Sequence, residues 1–208
     1  MNIIFLKQGN LYQSKHANAL ANQLRNYYPG ARYICYTEDP TGLYMEDIPF
    51  IPKPTLKKWW NKLSLFSDYF SQKVHGRCML FDLDTMIAED PGQYVKSWDK
   101  LHVVDAYWKK DKYLAPHSYD TRINSSVLTW TSGTQNHIWE HFMTNRDYFM
   151  RKYRGIDGFI FNEAFDYGLH HQGMLSRVES PLPMAAVRSW NNIDFNEISG
   201  LHVAKTVV

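Results

Sequence analysis

The feature that most constrains this chain is the stretch RCMLFDLDTMIAEDP, residues 77–91. An apolar run reads as a buried strand and then stops abruptly at two aspartates, Asp82 and Asp84, with Leu83 between them. Residues two apart in a strand project to one face, so the two carboxylates point together if the strand persists, or converge from the turn that follows it. Such a pair repels unless a proton or a cation sits between its members. A hard divalent ion, Mg²⁺ or Mn²⁺, resolves the conflict with oxygen ligands. A solvated turn at a strand end is the plain alternative.

Around this stretch, strand-like and helix-like segments alternate. Residues 2–7 (NIIFLK) read as a first strand. Ser14 is expected to cap a helix through about Tyr28, with Ala17, Leu20, Leu24 and Tyr27 at helical spacing. Residues 31–37 (ARYICYT) read as a second strand, and PFIPKP as a proline-rich crossing. KKWWNKLSLFSDYFSQ predicts one helix with Trp60, Leu63, Phe66 and Phe70 on its apolar side. The strand ending at Asp82 follows, then strands at residues 101–107 and 125–130. QNHIWEHFMTNRDYF and DGFIFNEAFDY predict helices, and the pattern beyond Gly168 is irregular. This alternation predicts an α/β fold, one domain over residues 1–208, with a mostly parallel central sheet flanked by helices. The carboxyl edge of such a sheet is where ligands bind.

Composition narrows the function. The 208 residues carry a formal net charge of +2, with no block of five like charges, so neither nucleic acid nor an anionic membrane is the expected partner. Cys35 and Cys78 lie in apolar runs and read as buried free thiols, which suit a reducing compartment. The N-terminus lacks a charged leader, and no apolar run approaches the ~20 residues of a membrane span. A cytoplasmic location is expected.

Two other chemistries compete for these motifs. In phosphatases of the haloacid dehalogenase type the first motif is D-x-D-x-T or D-x-D-x-V, but Met86 stands where Thr or Val is needed and Thr85 comes one residue early. HIWEH, residues 137–141, matches the H-x-x-E-H pattern of inverted zinc proteases, with His137 and His141 one helical turn apart. That helix also has Ile138, Trp139 and Phe142 to bury, so its histidines read as flanking residues. His170 and His171 read the same way.

Taken in order, KWWNKLSLF, GRCMLFDLDTMI and INSSVLTW resemble the DxD-containing nucleotide-sugar glycosyltransferases related to glycosyltransferase family eight, of small bacterial and phage type. FLKQGNLYQSKHANAL and YICYTEDPTGL are similar to the same family's first strand and loop and its second strand and turn. The resemblance runs from about residue 3 to 145, with weaker traces to 205. It implies the GT-A (Rossmann-like, nucleotide-diphospho-sugar transferase) fold. It also implies transfer of a hexose from a nucleoside diphosphate, with UDP expected, to an unidentified acceptor with retention.

The resemblance further implies site residues. Asp82 and Asp84 hold Mn²⁺ or Mg²⁺, with Asp82 also reaching the ribose. Lys62 either contacts phosphate or donor sugar or is a solvated helix lysine. Lys7, Gly9 and Tyr12 border the base; Tyr12 either stacks on uracil or closes the core. Asn124 and Ser125 line the sugar pocket, with a backbone-turn role for Asn124 as the alternative. Asp157 matches an acid facing the sugar or acceptor, although RGIDG departs from the family's G-D-Q. LHVAK places His202 as third metal ligand and Lys205 on phosphate, with Val203 replacing the family's glycine. These departures motivate the alternative of a nucleotide-sugar-binding protein without turnover. Oligomeric state is not legible.

Overall fold

The computed structural model describes residues 1–49, 56, 58–107, 121–163, 165–177 and 187–189. Its strands are β1 (Asn2–Lys7), β2 (Arg32–Thr37), β3 (Glu46–Pro49), β4 (Arg77–Phe81), β5 (Thr85–Ile87), β6 (Leu101–Asp105), β7 (Ile123–Thr131), β8 (Tyr167–Leu169), β9 (Leu175–Arg177) and β10 (Val187–Ser189). Its helices are α1 (Ser14–Arg25), α2 (Asp68–Ser71), α3 (Asn136–Thr144), α4 (Arg146–Lys152) and α5 (Ile156–Asn162), with a 3₁₀ helix at Lys58–Phe66.

The seven-stranded sheet has the order β3-β2-β1-β4-β7-β6-β8, and β5, β10 and β9 form a second sheet of three. β1 pairs in parallel with both β2 and β4, whereas β7 runs antiparallel to its neighbours β4 and β6. The expected mostly parallel sheet is therefore present, with one reversed strand near its middle. Alternate residues of each strand feed opposite faces. Ile4, Leu80, Leu128, Trp130, Leu101 and Val103 pack under the 3₁₀ helix and α3 to α5. Ile3, Phe5, Met79, Phe81, Val127 and Val104 pack under α1, with Met174 and Leu175. Burial on both faces explains why β1, β2 and β4 read as near-continuous apolar runs. Cys35 and Cys78 are free and buried, one per face, and burial pushes both thiols up to about 12.

The local expectations need correction in five places. Ser14 is the first residue of α1 rather than its cap; Gln13 caps the helix in a reciprocal box with His16, and the Ser14 hydroxyl donates to the Thr41 carbonyl. The helix expected across KKWWNKLSLFSDYFSQ is a 3₁₀ helix followed by the short α2, separated at Ser67, whose side chain caps α2 by accepting from the Phe70 N–H. The helix expected across residues 135–149 breaks at Asn145, which takes φ −153° and ψ 53° between α3 and α4. The last predicted helix ends at Asn162, and Tyr167 begins β8. The region beyond Gly168, read as irregular, supplies the rest of β8 together with β9 and β10. Most of PFIPKP lies outside the described residues.

Candidate functional site

β4 delivers the aspartates to the carboxyl edge of the sheet, beside the edge of β1. The Asp82 N–H donates to the Ser126 carbonyl at 2.9 Å, extending the β4–β7 ladder one residue past the strand. The chain then turns: the Thr85 N–H and hydroxyl both donate to the Asp82 carbonyl, at 3.2 and 2.6 Å. Thr85 is thus a turn residue, and the turn directs Asp82 and Asp84 into one cleft. That cleft measures about 650 Å³ and is lined by Gln8 to Tyr12, Glu38, Trp59, Asn61, Lys62 and residues 82–84.

Lys62 is the nearest cation. Its ammonium lies 2.7 Å from Asp82 Oδ1 and 2.9 Å from Oδ2, and also donates to the Ser125 carbonyl at 3.0 Å and hydroxyl at 3.3 Å. The Lys62 side chain is 8% exposed and the Asp82 side chain 28%, so the pair is rooted in the core and open on one side. Trp60 and Leu63, both buried, anchor the 3₁₀ helix that carries the lysine. Burial holds the Asp82 carboxyl above the usual carboxylate range against the opposing pull of Lys62 and a hydrogen bond from Ser126, and the charge of Asp157 adds to the rise. Asp157 sits in the first turn of α5.

Tyr12 stands opposite. Its ring lines the same cleft as both carboxylates, and burial, then the charges of Asp84 and Asp82, push its phenol up. Gly9 takes φ +59° with open space where a Cβ would sit, so the left-handed backbone rather than crowding calls for glycine. The Gly9 N–H donates to Glu38 Oε1 at 2.6 Å. Lys7 is buried and commits its ammonium to the Asp39 carbonyl at 2.8 Å and carboxylate at 3.4 Å. It lines an adjoining cleft of about 720 Å³ that shares Gly9, Asn10 and Tyr12 with the aspartate cleft.

Other expected residues take backbone roles here. Asn124 Oδ1 accepts from the Ser126 N–H at 2.8 Å, the turn-like arrangement that was its alternative reading. Ser125 meets Lys62 rather than the cleft wall. His202 and Lys205 lie outside the described residues. His141 Nε2 is 3.0 Å from Glu163 Oε2 and its ring packs against Phe149 and Phe159, while His137 lies against Phe165. Among the described residues no group of three or more His, Cys, Asp or Glu could hold a metal ion. Asp82 and Asp84 provide the all-oxygen donors that Mg²⁺ or Mn²⁺ prefers, with room for ligands from a bound diphosphate.

Sequence reasoning missed Trp59 and Asn61. Trp59 is 41% exposed in the cleft wall, and its indole N–H donates to the Arg154 carbonyl at 2.8 Å. The signal was present: if helical spacing buries Trp60, its neighbour must face outward, and an exposed tryptophan marks a contact surface. Asn61 donates to Gln8 Oε1 at 2.8 Å and so ties the 3₁₀ helix to the loop after β1.

No family model and no curated protein matches the sequence. Solved structures do match. A galactosyltransferase, LgtC, crystallised in complex with donor and acceptor sugar analogues, aligns over 100% of this chain and 97% of its own, with a TM-score of 0.65 and 11% identity. A glycosyltransferase involved in glycosylation of the major capsid of PBCV-1 aligns over 97% of this chain and 98% of its own, at 0.62 and 12%. GlyE of Streptococcus pneumoniae TIGR4, also a glycosyltransferase, covers 99% of this chain and 64% of its own, at 0.61 and 11%. The chain therefore has the fold of these glycosyltransferases, as the GT-A expectation required.

Proposed function

We propose that this protein is a metal-dependent glycosyltransferase that moves a hexose from a UDP-sugar to an acceptor with retention. The observation that carries the reading is the convergence of Asp82, Asp84, Lys62 and Tyr12 on one cleft at the carboxyl edge of a sheet with a glycosyltransferase fold. The paired clefts divide the donor: nucleoside toward Gly9, Asn10 and Tyr12, diphosphate and sugar toward the aspartates. Tyr12 offers a ring face to uracil, and the positive φ at Gly9 lets the backbone wrap the base. Asp82 and Asp84 would hold Mn²⁺ or Mg²⁺, which when bound would supply positive charge against that gathering on the departing diphosphate. Lys62 gives the same diphosphate a second positive partner. Asp157 is assigned to the sugar or acceptor side, with Asn124 bracing the start of β7, where Ser125 meets Lys62. A retaining transfer in which the departing phosphate takes the acceptor proton needs no strong general base.

The test is release of UDP from a panel of UDP-hexoses with Mn²⁺ and no added acceptor. Slow release lost in Asp84→Asn supports transfer. A second reading, a nucleotide-sugar-binding protein without turnover, is favoured by the altered RGIDG segment. It predicts tight, Mn²⁺-dependent UDP binding with no release from any donor.

A further inference from the structure

We infer that Lys62 is a resident counter-ion that opposes divalent-cation binding at Asp82 until a diphosphate arrives to receive its ammonium. This deepens the reading above and rests on it. Four oxygens surround Nζ within 3.3 Å: both carboxylate oxygens of Asp82, and the carbonyl and hydroxyl of Ser125. An ammonium has three donors, so this cage saturates it. The cage also engages both atoms through which Asp82 would bind a metal. A cation seated about 2.1 Å from either oxygen would lie within a few ångströms of the ammonium. In a partly buried site, where water screens poorly, that repulsion is strong.

The lysine has a way out. Lys62 lines the 650 Å³ cleft together with Asp84 and Tyr12, while the buried Trp60 and Leu63 anchor the helix that carries it. On this inference the four-carbon stem swings toward a diphosphate in that cleft while the helix stays anchored. The swing exchanges one anionic partner for another and frees both Asp82 oxygens together. The aspartate pair alone is therefore a weak metal site, and with UDP it becomes a strong one. Because coupling is reciprocal, Mn²⁺ strengthens UDP binding by the same factor.

The experiment is a Mn²⁺ titration of wild type, Lys62→Gln and Lys62→Arg, with free Mn²⁺ read by electron paramagnetic resonance. Each is run with and without UDP, and a protein-free blank accounts for the Mn²⁺–UDP complex. Glutamine keeps a hydrogen-bond donor for Asp82 and removes the charge. Without UDP, Lys62→Gln is expected to bind Mn²⁺ about tenfold more tightly than wild type, within the usual range of coupling energies, and Lys62→Arg to match wild type. In Lys62→Gln the tightening by UDP shrinks. If Lys62→Gln binds Mn²⁺ no more tightly than wild type, while UDP still tightens both, the counter-ion inference falls and the proposed function stands. If no sample binds Mn²⁺ with or without UDP, both fall. Should Lys62→Gln not fold, Lys62→Met replaces it under the same criteria.

Discussion

Replacing Glu163 by Gln should destabilise the protein at neutral pH and leave it nearly indifferent in acid. Glu163 follows α5 and ties three helices together: Oε1 accepts from Lys152 at 2.9 Å and from the Tyr153 hydroxyl, and Oε2 lies 3.0 Å from His141. Burial raises this carboxyl, but the Tyr153, His141 and Lys152 hydrogen bonds outweigh it and hold it at about 2, against an ordinary 4.5. That separation, at 1.36 kcal/mol per pH unit, sets a ceiling of about 3 kcal/mol. Screening at the solvent edge of the cluster lowers the expectation to roughly 2 kcal/mol. For a depressed carboxylate the stabilisation is complete above the unfolded value, near 4.5, and disappears as pH falls toward about 2. Urea denaturation of wild type and Glu163→Gln at intervals from pH 7 to pH 3 measures it. The gap should be near 2 kcal/mol at pH 7, about 4–8 °C in Tm, and should narrow steadily below pH 4.5. A gap that keeps its full size at pH 3 would refute the reasoning, because the loss would then come from packing rather than from the carboxylate charge.

Three further outcomes are expected. His170 is 2% exposed with neither ring nitrogen hydrogen-bonded among the described residues, and burial, joined by the charges of His102, Lys96 and His171, lowers it to about 3. Since the unfolded chain takes up that proton more readily, wild type should lose stability as pH falls below about 6.5, and His170→Leu should flatten urea midpoints between pH 6.5 and 4. Gly168→Ala would put a Cβ 2.3 Å from the buried His102 Nε2; a loss of about 1–3 kcal/mol is expected by thermal melting, and an unchanged Tm would contradict it. Asp84→Asn should cut Mn²⁺-dependent UDP release by roughly a hundredfold or more, a loss of about 3 kcal/mol in the transition state. Comparable rates in the variant would remove Asp84 from the site.

What was legible in the sequence follows from how local each feature is. The runs that became β1, β2, β4, β6 and β7 are buried from both sides, so their own apolarity announces them. β3 escaped because it is a short edge strand whose Glu46, Asp47 and Pro49 face solvent, with only Ile48 buried. The reversal of β7 has no signature in its own residues, since it is decided by what precedes it in space. The 3₁₀ geometry of residues 58–66 escaped because spacings of three and four both put apolar residues on one side. In the site, the aspartates showed through a polarity jump within one strand, and Tyr12 and Lys62 through the order of surrounding motifs. The Lys62 cage could not show, since it joins three segments: Lys62 on the 3₁₀ helix, Asp82 after β4 and Ser125 in β7.

That cage changes the electrostatic question posed by two aspartates at a strand end. Repulsion between Asp82 and Asp84 seemed to demand an external cation, yet the fold already supplies a positive charge to one of them. Lys62 is buried and its ammonium is held on Asp82, whereas Asp84 sits within the turn that Thr85 closes. Both carboxylates line the cleft, but Asp82 is the one that Lys62 engages through both of its oxygens. Charge removal should separate them. Asp82→Asn strands the buried Lys62 ammonium and should lower stability by about 3 kcal/mol or more, as breaking one partner of a buried pair does. Asp84→Asn should leave the melting temperature within a few degrees of wild type while Mn²⁺ binding weakens. Equal losses of stability in the two variants would show that the pair acts as one structural unit, and would remove the asymmetry on which the role of Lys62 depends.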